Sequence, residues 1–233
     1  MTALLRLLRI PPGVATFLIM AGIVYAGWQH RVPLLGIRTF DYNHFVSRWY
    51  GYVASMGFNA FETVFFDYTP AYPYLLYINH ALFPEAAMPV AIKGTSYFFD
   101  VLAAVFAYFI VRLKRSEPWP LLAFTAVIFW PTVVLNGAAW AQCDMIYTSW
   151  LLGFILAALH GRMLLASFLF GIAFCFKLQA AFVSPALLLL AYRREMKPIY
   201  LLAVPVAYFL MVLPAWMVGR PLGDLLTIYA QQF

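Results

Sequence analysis

Residues 163–191 read MLLASFLFGIAFCFKLQAAFVSPALLLLA. The run is half as long again as the roughly 20 residues a bilayer-crossing helix needs. Lys177 and Gln179 lie in its middle, and Arg193, Arg194 and Lys197 follow it. One continuous helix would bury Lys177 and place the three basic residues outside. Lys and Arg gather in cytoplasmic loops. Two short helices turning near Phe176–Gln179 put Lys177 at the outer surface and the basic cluster inside. The reading predicts this pair, the fifth and sixth of a series of spans.

The rest of the chain is built from the same material. Of 233 residues, 65% are hydrophobic and 10% charged, with mean hydropathy +0.83. Soluble domains carry about 25% charged residues. This composition predicts an all-α polytopic membrane protein forming one transmembrane domain over 1–233. The apolar runs are too long and uniform for the short alternating strands of a β-barrel. The net charge of +6 is scattered in small loop clusters and not gathered in one basic face, so no nucleic-acid partner is expected. Cys143 and Cys175 sit beside or within apolar runs and read as small buried hydrophobes.

Charge orders the spans. Arg6 and Arg9 place the N-terminus inside, and the stretch after them reads as a retained first span, about Pro12 to Trp28. A long first outer loop covers about 29–89. Span two, about Val90 to Val111, returns to the cluster Arg112–Arg115. Span three runs from about Trp119 to Leu135, span four from about Gln142 to Leu159, and span seven from about Pro198 to Val218. Nine of the fifteen Lys and Arg then lie inside: Arg6, Arg9, Arg112, Lys114, Arg115, Arg162, Arg193, Arg194 and Lys197. Asp41, Glu62, Asp67, Glu85, Asp144 and Asp224 all fall outside. Thr69–Phe83 is short and interrupted by Pro73, Asn79 and His80. As a further span it would turn Arg112–Arg115 outward, so it reads as a helix in the membrane surface or partly re-entrant.

The outer side also collects the polar side chains. In GIRTFDYNHFVSRW (36–49), Asp41 precedes a stripe of Phe45, Trp49, Tyr52 and Met56, an amphipathic pattern for a helix on the outer membrane face. Asp41, His44 and Arg48 would share its second face. Asp41 also suits a helix N-cap. Asp67 opens DYTPAYPY, where Thr69 and Pro70 read as N-cap and first helical residue. Asn136, Gln142 and Asp144 fall at the outer end of spans three and four, and Lys177 and Gln179 at the outer turn of spans five and six. Inside span two, Lys93 and Asp100 share a face. A mid-membrane charge costs about 2.5–3.5 kcal/mol on insertion scales, so Asp100 faces protein or water. It reads either as a structural ion pair, with Lys93 or Lys177, or as a functional group. Together these groups describe an acidic cavity suited to a polar substrate carried on a lipid. A carboxylate there can take a proton from a hydroxyl, and a basic group at the boundary can hold a phosphate.

FDYNHFVSRW, GFNAFETVFFDYTPAYPYLLY, IKGTSYFFD, NGAAWAQCDMIYTSWLL and FCFKLQAAFVSPALLL resemble the GT-C superfamily of integral-membrane glycosyltransferases. The likeness is to bacterial members that use polyprenyl-phosphate-linked sugars. The blocks spread from about Phe40 to Ala230, and the order W-x-Q-x-D then F-K-x-Q is the specific feature. The resemblance implies a module of about seven transmembrane helices whose long first outer loop carries membrane-surface helices. It implies inverting transfer of a hexosyl group, mannosyltransferase-like, from a polyprenyl-phosphate donor to a lipid, glycan or protein acceptor. Asp41 maps to the catalytic acid, the general base on the acceptor hydroxyl. Asp67 matches a second acidic position that orients the acceptor, supports Asp41 or only fixes the loop. His44, Arg48, Gln142, Asp144, Lys177 and Gln179 would bind substrate, with Lys177 on the donor phosphate. No cofactor is expected; the superfamily has members with and without a divalent metal, and no tight ligand cluster for one is visible. Members of the family continue well beyond seven spans, so the chain reads as an N-terminal fragment lacking the C-terminal half. The expected location is the bacterial inner membrane, with the N-terminus cytoplasmic and the active loop outside.

Two rival readings compete. A secondary transporter would also place polar groups in apolar helices, but such proteins show internal repeats and broken helices meeting at the midplane. No repeat is evident here. A non-catalytic protein that only binds lipid-linked sugars could use the same cavity.

Overall fold

The computed structural model describes residues 11–230, so the expectations placed on Arg6 and Arg9 lie outside the described residues. The described chain is helical, with no strand. Its helices are α1 (Pro12–Arg31), α2 (Ser47–Met56), α3 (Ala71–Leu82), α4 (Met88–Arg112), α5 (Trp119–Phe129), α6 (Pro131–Val134), α7 (Asp144–Leu159), α8 (Met163–Phe176), α9 (Ser184–Tyr192), α10 (Ala203–Met217) and α11 (Leu222–Thr227).

Proline sets many of the boundaries. α1, α4, α5, α6 and α9 each carry a proline in their first two positions, where the missing N–H costs nothing and φ is already helical. Pro131 also forces Trp130 out of the helical region, to φ −62° and ψ 126°, and so separates α5 from α6. The two pieces meet at a bend of 43°. The long apolar run of 163–191 breaks where its charge lies. Lys177 is extended, φ −159° and ψ 136°, and ends α8; a 3-10 stretch, Leu178–Val183, leads into α9.

Three stretches are long and apolar enough to cross a bilayer: Pro12–Leu34, Met88–Arg112 and Pro198–Met217. The bent pair Trp119–Phe129 and Pro131–Ala139 makes a fourth if counted as one. Asp144–Leu159, Met163–Phe176 and Leu178–Tyr192 are apolar but shorter. This is the composition of an integral helical membrane protein. The described chain has apolar helical segments where the seven spans were expected, and at most four reach full length.

α4 lies at the centre, packed against α5, α7 and α3. α8 packs between α7 and α10. Its contact with α10 depends on Gly171. A Cβ there would stand 2.8 Å from Ala207 Cβ and 2.8 Å from the Val204 carbonyl oxygen. In apolar helices without a hydrophobic driving force between them, such small residues allow close packing. Gly171→Val is expected to push α8 from α10 and cost about 1–3 kcal/mol, the usual range for overpacking. Thermal denaturation in detergent checks this against Gly22→Val, where the added group meets nothing within 4 Å.

α1 is tied to α4 by a buried ion pair. Arg31 Nη2 donates to Asp100 Oδ2 at 2.8 Å, and the guanidinium lies 4.6 Å from the Tyr97 ring centroid. Asp100 was expected to pair with Lys93 or Lys177; its partner is Arg31. Lys93 instead donates to three carbonyls, Leu34 at 3.1 Å, Leu35 at 3.1 Å and Ile37 at 2.7 Å, and so holds the start of the first loop.

Candidate functional site

The first loop returns over the ends of the apolar helices and brings its acids against the segment 136–144. Asp41 does not cap a helix. It is itself helical, at φ −61° and ψ −40°, and the Thr39 hydroxyl accepts the Tyr42 N–H at 3.3 Å instead. This frees the Asp41 carboxylate. Its Oδ2 accepts a hydrogen bond from Gln142 Nε2 at 2.7 Å, across 101 positions of sequence.

Gln142 is aimed by its own backbone. Ala141 adopts φ +56°, an uncommon value for a residue with a side chain, and is fully buried. The Gln142 N–H donates to the Asn136 carbonyl at 3.0 Å, and its carbonyl accepts from Ser96 Oγ at 3.2 Å. A π-helical turn, Leu135–Ala139, precedes this segment, and another, Tyr42–Val46, follows Asp41. Such insertions re-aim side chains.

Asp41, Asp67 and Gln142 line one cavity of about 160 Å³, with Trp49, Tyr68, Tyr72 and Cys143 among its walls. Tyr72 is almost wholly buried and its hydroxyl has no hydrogen-bond partner. Burial, then Cys143 and Tyr68, push its pKa well above the ordinary value, so it stays a neutral donor. Tyr68 is raised too, by burial first and then Cys143, while Lys177 pulls it down. The Cys143 thiol is buried in the cavity wall.

Asp144 and Lys177 stand beside this cavity. They form an ion pair, and Asn136 Nδ2 donates to Asp144 Oδ2 at 2.8 Å. Thr69 donates to the Cys175 carbonyl, which ties the loop of Asp67 to the end of α8.

Three of the expected site residues are elsewhere. His44, Arg48 and Gln179 are exposed and do not line the cavity. His44 stacks on Phe40 with centroids 3.9 Å apart, and its Nδ1 lies 3.0 Å from the Phe40 carbonyl oxygen. The π-turn accounts for their placement. It adds a residue to the turn after Asp41, so the spacing of three and four no longer defines one face. The apolar stripe splits in exposure as well. Trp49 turns inward with Val46, Tyr50 and Val53, whereas Phe45 and Met56 stay exposed. Tyr68 and Tyr72 escaped the sequence reading. Their four-residue spacing directly after Asp67, leading into α3, was the available signal.

No group of three or more His, Cys, Asp or Glu is placed to hold a metal ion among the described residues. The chain matches no family model, no curated protein and no solved structure.

Proposed function

We propose that the protein is an inverting glycosyltransferase of the GT-C type, moving a hexosyl group from a polyprenyl-phosphate donor to an acceptor hydroxyl at the outer membrane face. The supporting observation is the Gln142–Asp41 bond at a cavity that Asp67, Tyr68 and Tyr72 also line. Gln142 fixes one oxygen of the Asp41 carboxylate and leaves the other for an acceptor. The acceptor hydroxyl gives its proton to Asp41 as its oxygen attacks the anomeric carbon. The sugar–phosphate bond breaks on the opposite face, and the lipid phosphate leaves with the electron pair. Asp67 would hold the acceptor or sugar hydroxyls across the cavity.

Lys177 enters this scheme already paired with Asp144. A donor phosphate would share its remaining N–H groups as a second anion. Lys177→Ala is therefore expected to weaken donor binding more than turnover, read as KM against kcat. Unchanged donor affinity would remove Lys177 from the phosphate. The reading as a whole is tested by sugar transfer from radiolabelled polyprenyl-phosphate donors, with the protein in liposomes. Transfer to a hydroxyl acceptor with release of polyprenyl phosphate supports it. Uptake of a free solute, with no transfer from any donor, would favour a transporter.

A further inference from the structure

Four cationic side chains of the described chain are drawn almost or mostly out of water, and three have answers. Arg31 meets the Asp100 carboxylate, Lys93 meets three carbonyls, and Lys177 meets Asp144. The fourth is Arg220, 2% exposed, in the turn between α10 and α11. Its Nε and Nη1 have no hydrogen-bond acceptor, and it takes part in none of the ion pairs among the described residues. Its guanidinium lies 5.2 Å from the centroid of Phe66, the residue next to Asp67. Tyr74 and Tyr208 act on it electrostatically but have their own bonds. The Tyr74 oxygen accepts the Ala215 N–H at 2.8 Å, and the Tyr208 hydroxyl donates to the Leu225 carbonyl at 2.8 Å. Asp224 acts on it only from a distance beyond ion-pair contact. A ring face does not accept two in-plane N–H groups, and a buried cation lacking acceptors is far costlier than a paired one.

We infer that Arg220 is an anion-binding residue whose missing partner is a phosphate group. The fork of a guanidinium matches two oxygens of a phosphate. The inference rests on the lipid-phosphate reading for its biological ligand but not for its chemistry. A phosphate on a lipid and a free phosphate ion both fit the fork.

The test measures ligand-dependent thermal shifts of the full chain in neutral detergent with three probes: decyl phosphate, inorganic phosphate and decanol. Wild type is expected to be stabilised by decyl phosphate and not by decanol. R220Q is expected to lose at least about tenfold in decyl phosphate affinity, as when a charge-assisted hydrogen bond is removed. R220K keeps the charge but not the fork, and is expected to fall between them. If R220Q fails to accumulate, R220K against wild type decides. Equal affinity in the variants that fold, or no preference of wild type for decyl phosphate over decanol when inorganic phosphate is also without effect, would overturn the assignment. Stabilisation by inorganic phosphate equal to that by decyl phosphate identifies a free phosphate as the ligand. Loss of phosphate binding in R220Q, with no sugar transfer by wild type, keeps the anion site and removes the transferase. Sugar transfer with phosphate affinity independent of Arg220 does the reverse.

Discussion

Asp100→Ala leaves the Arg31 guanidinium buried without its carboxylate, and is expected to destabilise the protein by about 3–5 kcal/mol. The side chains of this pair are 2% and 0% exposed, so water cannot replace the lost partner. Arg31 retains only its bond to the Gly27 carbonyl at 3.1 Å and the Tyr97 ring. The pair is one tie between α1 and α4, beside the Tyr97 hydroxyl's bond to the Val24 carbonyl and the packing of Trp28 on Tyr97. The double variant Arg31→Met with Asp100→Leu removes both charges and keeps the volume. It is expected to recover most of the loss, because paired burial of two ions repays little more than apolar packing. Thermal denaturation in detergent separates the two cases. A single variant as stable as wild type would mean that the site admits water. A double variant as unstable as the single one would mean that shape, not charge, governs the junction.

Much of the helical layout could be read from sequence because its signals are local. A lysine inside an apolar run, or a proline at the head of one, acts on its own backbone. The break at Lys177 and the helix start at Pro12 are of this kind, whereas the break at Pro131 falls inside the expected third span and was not read. Asp41, Asp67 and Gln142 were each legible as candidates, because polar groups are conspicuous in so apolar a chain. Their pairing was not. The Gln142–Asp41 bond depends on two π-turns and a positive φ at Ala141, and no rule of helical period contains these. His44 and Arg48 lie outside the cavity for that reason. The Asp100 partner was missed because Arg31 reads as a loop residue past the end of a span. Only the extension of α1 to Arg31 carries it to Asp100. Arg220 gave no signal, since its meaning lies in what fails to surround it.

Asp41→Asn is expected to lower sugar transfer by about 10²–10⁴-fold, the usual contribution of a positioned general base. Asparagine keeps an oxygen that can accept the Gln142 amide proton, so the loop geometry survives the change. What is lost is the ability to take a proton from the acceptor hydroxyl. Donor affinity, measured with a labelled polyprenyl-phosphate sugar, is therefore expected to stay within about threefold of wild type, as for an interaction made only in the transition state. Gln142→Ala makes the complementary change. It leaves the carboxylate basic but removes its fixed orientation, and a smaller fall in transfer is expected, of the order of the 10²-fold that a misplacement of about 1 Å can cost. Asp67→Asn completes the comparison. Collapse of transfer in Asp41→Asn alone, with donor still bound, identifies Asp41 as the base and leaves Asp67 to hold the acceptor. Equal transfer by Asp41→Asn and wild type would move the base to Asp67, the other carboxylate lining the cavity.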